Sequence, residues 1–204
     1  MTMTPRIAIV TGSTRPGRNN EAVARWVHWL AQQRTAAQFE LVEIADHKLP
    51  LLDEPMSPSF GKYTHPHTKA WADRIAAFDG YVFVTPEYNH GIPGALKNAL
   101  DFLYREWNDK AAGFVSYGGG ASGARAVEHL RLVMAELMVA TVRAQVLLSL
   151  VTDFENFTTF KPLPQRQAEL TTMLDQVVSW ATALKTVRVP RAGTVAGAAP
   201  VESR

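Results

Sequence analysis

The sequence predicts an α/β fold in which five strands form a parallel sheet covered by helices on both faces. Short apolar runs rich in β-branched and aromatic residues, such as RIAIVT at 6–11 and YVFVT at 81–85, are typical of buried strands. They alternate with longer segments in which apolar residues recur at helical spacing. Because parallel strands need crossover connections, and these are right-handed, the helices are expected to cover both faces of the sheet.

The alternation continues along the chain. Asn19 or Asn20 caps the first helix, and the segment from Leu49 to His67 is too rich in proline for regular structure and is predicted to be a long loop. The predicted strands are Arg6–Thr11, Phe39–Ile44, Tyr81–Thr85, Ala111–Tyr117 and Thr141–Val151. The predicted helices run from Asn20 to about Arg34, through Trp71, Ile75 and Phe78, from Pro93 to about Tyr104, from Ala124 to Ala140, and from Leu163 to Thr186.

The predicted strand order is 2-1-3-4-5. In sheets of this kind a ligand binds beyond the carboxyl ends of the two strands at which the order reverses, here strands one and three. These strands are expected to end at Thr11 and Thr85. The loops that follow them should therefore lie side by side and form one site.

Length and composition limit the classes of protein to which the chain can belong. With 204 residues, 47% of them hydrophobic and 20% charged, one globular domain is expected over residues 1–187, followed by a disordered tail at 188–204. No apolar run is long enough to span a membrane, and MTMTPR lacks the features of a secretory signal. The absence of cysteine excludes thiol catalysis and thiolate metal sites, and predicts a cytoplasmic protein. A net charge of +2 with scattered cations argues against nucleic acid.

The loop after strand one, GSTRPGRNN at 12–20, has the chemistry of a phosphate site. It combines small residues, the hydroxyl of Ser13, the guanidinium groups of Arg15 and Arg18, and the amino end of a helix at Asn20. Its G-x-x-x-x-G spacing is similar to a nucleotide P-loop, but the Lys and Ser/Thr that follow in a P-loop are replaced here. The G-x-G-x-x-G of dinucleotide-binding folds is also missing. The alternative is an ordinary loop with solvated arginines.

The loop after strand three is suited to a flat heterocycle. A rigid turn from Pro86 to Gly91 can present backbone N–H and C=O groups to the polar edge of a ring while Tyr88 lies against its face. In the alternative interpretation, Glu87 and Asn89 only satisfy the local backbone. Together the two loops indicate one ligand that carries both a phosphate and a flat ring.

Three other groups of polar residues are weaker candidates. His65 and His67 lack a third ligand at a recognisable spacing, so a solvated loop is favoured over a metal site. His90 is interpreted as a ligand contact, and Glu87 as structural rather than as a general base. The GGGASG segment at 118–123 is either an anion site at the next helix or a flexible connection.

The segments GSTRPGR, PEYNHGIPGALKNALD and VSYGGGASGARA resemble the NADPH-dependent FMN reductases of flavodoxin-like fold, which include quinone, azo-dye and chromate reductases. The resemblance covers about residues 6–150 and implies tightly bound FMN in a three-layer sandwich. Many members have a serine near the start of the first helix, where this chain has Arg18-Asn19-Asn20. By position the resemblance assigns the FMN phosphate to Ser13, Arg15, Arg18 and Asn20, one side of the isoalloxazine to Pro86, Glu87, Tyr88, Asn89, His90 and Gly91, and the other side to Ser116, Tyr117 and Gly118.

The fourth predicted helix carries more apolar residues than one packed face needs, which indicates a subunit interface. The resemblance agrees, since relatives are dimers or tetramers, and it predicts a homodimer or homotetramer. The apolar positions are Val127, Leu130, Leu132, Val133, Met134, Leu137 and Met138.

The leading hypothesis is an oxidoreductase that transfers hydride from NADPH or NADH to bound FMN, and then electrons to a quinone, azo compound, free flavin or similar small acceptor, with ping-pong kinetics. The first alternative is a flavodoxin-like electron carrier without turnover of its own. It is disfavoured by the near-neutral charge and by the two arginines of the phosphate loop. The second alternative, a nucleotide-phosphate enzyme, lacks the Lys and Ser/Thr pair.

Overall fold

A computed structural model describes residues 4–188 of the chain. Its central sheet contains five parallel strands in the order β2-β1-β3-β4-β5, which confirms the predicted order. The reversal of order places the ends of β1 and β3 next to each other, with Thr11 opposite Val84. The strands are β1 (Arg6–Thr11), β2 (Gln38–Glu43), β3 (Gly80–Pro86), β4 (Lys110–Gly118) and β5 (Val139–Ser149).

Two helical layers cover the sheet, so the predicted three-layer α/β sandwich is confirmed. Alternate side chains of a strand point to opposite faces. Ile7 and Ile9 pack with α1 and α5, whereas Ala8 and Val10 belong to the core formed with α2, α3 and α4. The helices are α1 (Asn20–Ala31), α2 (Pro66–Ala76), α3 (Gly94–Asp101), α4 (Ala124–Glu136) and α5 (Gln165–Arg188).

The first four helices all end earlier than predicted, and among them α2 stops at Ala76 before Phe78 and α3 stops at Asp101 and not near Tyr104. α1 stops at Ala31 and not near Arg34, and α4 stops at Glu136 and not at Ala140. Met138 has a φ of 55°, a left-handed conformation that no helix continues, and β5 begins immediately afterwards. The apolar residues of α4 run without a break into those of β5, so periodicity alone did not mark the boundary.

The predicted long loop is more ordered than expected. Residues Pro58–Phe60 form a short 3-10 helix, and Pro66 opens α2 at the position where helices accept proline. A second difference is an unpredicted antiparallel hairpin between β5 and α5, formed by β6 (Phe154–Glu155) and β7 (Thr159–Phe160). Strands of two residues are too short to produce a periodic signal.

Helix α5 continues to the last described residue, one residue past the predicted domain boundary at 187, and the predicted tail stays a prediction. Arg188 is the last described residue of α5, and its guanidinium lies 2.5 Å from the Asp79 carboxylate while donating to the Asp109 carbonyl at 2.7 Å. The rest of the predicted tail, residues 189–204, lies outside the described residues. Within residues 4–188, none of the helices combines the length and the apolar character that crossing a bilayer requires.

The outer strand β5 bulges against β4. Ala112 pairs with Thr141 and Phe114 with Gln145, so β5 has two more residues than β4 in this interval. Arg131 of α4 covers the bulge, because its guanidinium donates to the Thr141 hydroxyl at 3.0 Å, to the carbonyl of residue 142 at 3.0 Å and to the Gln145 side chain at 2.9 Å. Backbone groups that the bulge releases from the sheet are thereby satisfied.

Candidate functional site

The loop after β1 is pressed against the end of β3. Gly12 donates its N–H to the Val84 carbonyl at 2.7 Å, and a Cβ at this position would lie only 2.8 Å from the same oxygen. Only glycine allows this approach. The Ser13 hydroxyl is buried and lies 2.8 Å from the Tyr88 hydroxyl of the loop after β3. The two loops selected from the sequence are therefore joined by their own side chains.

The amino end of α1 keeps unused polar groups. Asn20 is fully buried and donates its amide to the Val84 carbonyl at 2.9 Å, but its Oδ1 has no partner within residues 4–188. Asn19 occupies the N-cap position without forming a capping hydrogen bond. The first N–H groups of α1 thus have no side-chain acceptor in the described structure, which suits an anion.

The two arginines of this loop have different surroundings. Arg15 is exposed and forms no ion pair in the described part of the chain. Arg18 is directed to two carboxylates, with Nη2 lying 2.8 Å from Glu21 and 3.2 Å from Glu43. Glu43 also accepts a hydrogen bond from the Thr11 hydroxyl at 2.5 Å. The charge of Arg18 is therefore compensated within the protein, whereas that of Arg15 is available to a ligand.

The loop after β3 contains a tight reversal. Tyr88 and Gly91 exchange backbone hydrogen bonds of 3.2 and 3.1 Å across Asn89 and His90, whose φ angles are 49° and 71°. Two consecutive positive φ angles define a type I′ turn, which Asn and His tolerate better than most residues. The N–H groups of Asn89 and His90 are on exposed residues and have no acceptor among residues 4–188. The turn thus leaves two backbone donors that no group among residues 4–188 accepts.

Glu87 holds this turn in place. Its side chain is 6% exposed and pairs with the Arg125 guanidinium, while its Oε2 accepts the Arg125 backbone N–H at 3.2 Å. Burial opposes ionisation of Glu87, but the hydrogen bond and charge of Arg125 outweigh it and lower the pKa. A carboxylate that is ionised and already paired is a poor general base. Glu87 therefore anchors the turn to the start of α4.

The end of β4 forms the third side of the candidate site, beside the loops that follow β1 and β3. The Ser116 hydroxyl donates to the Ser122 carbonyl at 3.0 Å, and Gly123 has a φ of 82° that lets the 118–123 loop fold back onto the strand. A Cβ on Gly118 would lie 2.9 Å from the backbone nitrogen of Gly123. Tyr117 is 5% exposed, and burial together with the nearby Tyr88 raises its pKa, so it stays protonated.

Residues 5–153 match the family described as NADPH-dependent FMN reductase. The chain belongs to this family. It is 47% identical over 123 residues to an NAD(P)H-dependent FMN reductase of Schizosaccharomyces pombe, an alignment that covers 59% of this chain and 62% of that relative. It is 38% identical over 128 residues to a quinone reductase of Pseudomonas putida, covering 60% of this chain and 65% of that relative. The chain thus spans somewhat less than two thirds of the length of these relatives.

Solved structures support the flavodoxin-like fold of this FMN reductase family member. A flavoenzyme NAD(P)H:(acceptor) oxidoreductase from Paracoccus denitrificans superposes with a TM-score of 0.68 at 21% identity, covering 88% of this chain and 98% of that one. An apo NADH:FMN oxidoreductase superposes with a TM-score of 0.66 at 21% identity, covering 86% of this chain and 89% of that one. At this identity the likeness establishes the fold alone.

The structure contains a cavity beside the loop after β1 and a larger groove away from both loops. One of about 340 Å³ lies beside the phosphate loop and is lined by Thr14, Ile44, Ala45, Lys48, Leu49, Ala95 and Asn98. A larger groove of about 940 Å³ lies between α4, β5 and α5 and contains none of the predicted site residues. Size does not identify the site here, because the larger groove lies away from the strand ends where this fold binds ligands.

His65 and His67, the histidine pair of the predicted loop, contact neighbouring protein groups. His67 lies on α2 with its Nε2 3.0 Å from an Asp53 carboxylate oxygen, and it stacks on His65 with ring centroids 5.2 Å apart. Over residues 4–188, no cluster of three or more His, Asp or Glu side chains is arranged to hold a metal ion.

Three neighbours of the site were missed by sequence reasoning. Arg125 pairs with Glu87, Glu43 pairs with Arg18, and the carbonyl of Phe157 accepts the Asn19 amide at 2.8 Å. Each partner is distant in sequence from the residue it touches, so no local pattern identified it. Phe157 lies at the tip of the unpredicted hairpin.

Proposed function

We propose that this protein is an FMN-dependent NAD(P)H oxidoreductase that reduces a quinone, azo compound, free flavin or similar small acceptor. The observation that carries the proposal is the contact between a phosphate-type loop and a turn with two free N–H donors, through Ser13 and Tyr88, at the strand ends where this fold binds ligands. Family membership supports FMN as the ligand. The names of relatives, which include NAD(P)H-dependent FMN reductases and quinone oxidoreductases, support the donor and the acceptor.

The described residues fit FMN at its phosphate end. The uncapped N–H groups at the start of α1, including that of Asn20, and the unpaired charge of Arg15 are donors that a dianionic phosphate, which only accepts hydrogen bonds, would satisfy. Gly12 keeps the backbone of this loop close to β3. We infer that Ser13, Arg15 and Asn20 hold the phosphate. Arg18 fits a supporting role, because Glu21 and Glu43 already compensate its charge.

The turn fits the ring end. The N–H groups of Asn89 and His90 would bond the polar edge of the ring and favour the negative charge that develops there. Glu87, Arg125 and Ser116 hold the backbone around them without taking part in proton transfer. When bound, FMN supplies the hydride-accepting and electron-donating chemistry. The exposed side chain of Tyr88 leaves the site open for NAD(P)H and the acceptor to bind in turn.

The visible absorption spectrum of the purified protein, before and after anaerobic addition of NADPH, tests this function. We expect a two-band flavin spectrum that bleaches with NADPH, and steady-state kinetics with parallel double-reciprocal lines. Bound FMN without NADPH oxidation would favour the electron carrier. A protein that binds no added FMN would contradict the proposal, and intersecting lines would contradict the ping-pong mechanism.

Replacing Arg15 by alanine is expected to weaken FMN binding about 10- to 100-fold, because a charge-assisted contact to phosphate is lost. The unfolding temperature should stay within a few degrees of the unaltered protein, since Arg15 is exposed. Fluorescence titration of the apoprotein with FMN measures the affinity. Arg25→Ala is the matched control, because Arg25 is a largely exposed arginine on α1. Equal FMN affinities for both variants would show that Arg15 does not bind the phosphate.

Assembly and location remain predictions. A homodimer or homotetramer is supported by α4, on which Leu132 is 74% exposed although Val127, Leu130 and Met134 are fully buried. Sedimentation equilibrium tests this, and a monomer at micromolar concentration would contradict it. The cysteine-free sequence supports a cytoplasmic location, which cell fractionation would test.

A further inference from the structure

The β6–β7 hairpin reaches the phosphate loop from outside the part of the chain that matches the family. The match ends at residue 153, and β6 begins at the next residue, Phe154. The hairpin tip contacts the loop through a single hydrogen bond, in which the Asn19 amide donates to the Phe157 carbonyl at 2.8 Å. The contact joins segments 138 residues apart. The hairpin therefore contacts the site from outside the residues that match the family.

The base of the hairpin is fixed to the protein core. The Asp153 carboxylate has no exposed surface and accepts the backbone N–H groups of Ser149 at 2.9 Å and Leu163 at 3.0 Å. Arg166 of α5 adds two further hydrogen bonds to the same carboxylate, at 3.1 and 3.2 Å. This network binds the end of β5, the hairpin and the start of α5 together.

Aromatic contacts hold the two hairpin strands against the site. Phe160 packs edge-on against Trp26 of α1 with ring centroids 5.5 Å apart, and Phe154 lies 6.0 Å from Tyr117 of β4. Phe154 and Phe160 also pack on each other at 5.1 Å. The hairpin is thus seated between α1 and β4, the two elements that carry the phosphate loop and the end of the ring site.

The tip has a backbone conformation that Phe157 does not prefer. Asn156 and Phe157 have φ angles of 51° and 61°, and the Thr158 N–H closes the turn on the Glu155 carbonyl at 3.1 Å. Such angles are unusual for a bulky aromatic residue. Burial does not compensate, because Phe157 is 61% exposed. The turn bond and the Asn19 amide are the contacts that hold this backbone in place.

The Asn19 side chain contacts the hairpin and does not cap α1. Asparagine is among the preferred N-cap residues because its side-chain oxygen accepts an N–H of the first helical turn. Asn19 occupies that position with a helical backbone, φ −70° and ψ −12°, and makes no such bond, while its amide nitrogen donates to the hairpin. The first N–H groups of α1 consequently stay free for an anion.

We propose that Asn19 and the tip of the β6–β7 hairpin form a clasp that holds residues 12–20 in their phosphate-binding shape and thereby sets the rate at which FMN leaves. The proposal rests on the proposed function, because it takes FMN as the ligand. Asn19 acts here as a positioning residue, through the loop and not through contact with the phosphate.

Two variants open the clasp from opposite sides. Asn19→Ala removes the donor. Asn156→Pro moves the acceptor without altering the phosphate loop, because proline fixes φ near −65° where the turn needs a positive value. Thr158→Ala is the matched control, since Thr158 is exposed on the same hairpin and its backbone bond is kept. The FMN dissociation rate is measured by the rise in fluorescence as FMN leaves the protein, and hydrogen exchange of residues 12–20 is measured in the FMN-free protein.

We expect Asn19→Ala and Asn156→Pro each to raise the dissociation rate about three- to tenfold, as for one lost hydrogen bond. The double variant should release FMN no faster than the faster single variant, because both changes break one contact. Exchange in residues 12–20 should accelerate in both variants, and Thr158→Ala should match the unaltered protein in every measurement.

Two results would overturn the clasp alone. Equal release from all proteins would show that the contact does not affect FMN, and faster release from Asn19→Ala with unchanged release from Asn156→Pro would make Asn19 a direct ligand. Failure of the unaltered protein to bind FMN would instead overturn the proposed function, and the clasp with it.

Discussion

Replacing Asp153 by alanine is expected to lower the free energy of unfolding by about 3 kcal/mol. The substitution leaves two backbone N–H groups and the Arg166 guanidinium without their buried acceptor. Burial opposes ionisation of Asp153, but its bonds to Arg166, Leu163 and Ser149 outweigh this and lower its pKa. The carboxylate is therefore charged at neutral pH, and its removal breaks an ion pair as well as hydrogen bonds.

Urea denaturation at neutral pH measures this loss. Asp175→Ala is the control, because Asp175 also pairs with an arginine, Arg34 at 2.6 Å, but its side chain is 66% exposed. An exposed pair contributes about 0 to 1 kcal/mol, so the control should change stability little. A loss of less than about 1 kcal/mol for Asp153→Ala would mean that the network does not stabilise the fold.

The stability of the protein is expected to increase with pH above neutrality because of Lys110. This lysine is 4% exposed, and its ammonium group donates to the carbonyls of Ile75 at 3.1 Å and Ala76 at 3.3 Å and to the Tyr81 hydroxyl at 3.0 Å. Burial, with the positive charge of Arg188 nearby, lowers its pKa from 10.5 to about 7. Between these two values the unfolded chain binds more protons than the folded protein does.

The direction in which stability changes with pH follows from this difference in bound protons. Stability rises with pH wherever the unfolded state binds more protons, here by up to about 1.4 kcal/mol per pH unit above about pH 7. This gain is complete above the unfolded pKa of about 10.5 and is lost progressively as pH falls toward the folded pKa of about 7. Lys110→Met keeps much of the buried volume and removes the titration. The free energy of unfolding of the unaltered protein minus that of the variant should therefore increase between pH 7 and pH 9, by about 2 kcal/mol in order of magnitude. A difference that stays constant with pH would show that Lys110 titrates normally in the folded protein.

The topology could be predicted from the sequence because it depends on local signals that recur. Strand runs such as 6–11 and 81–85 are separated by helical segments, right-handed crossovers then place helices on both faces, and 2-1-3-4-5 is one of the common orders of such sheets. The boundaries of helices and strands were harder to predict where one apolar stretch passes from helix to strand, as between Glu136 and Val139. There the deciding signal is the backbone conformation of Met138, which its residue type does not reveal.

The candidate site was predictable as a pair of loops but not as a set of contacts. Arg15 and Arg18 are equivalent in the sequence, and the partners that separate them include Glu43, which lies on another strand. Asn19 and Asn20 were equally good caps, yet one is directed outward to Phe157 and the other inward to Val84. Such assignments depend on tertiary packing, and so only the three-dimensional structure distinguishes the members of each pair.

The bulge of β5 and the arginine that covers it affect how neighbouring molecules can meet this protein. An exposed edge strand offers a row of free N–H and C=O groups on which a strand of another chain can add. At β5 the row is interrupted, because Arg131 takes the carbonyl of Val142 and Gln176 of α5 accepts the N–H of Ala144 at 3.1 Å. Growth of the sheet by stacking chains along this flank is thereby blocked.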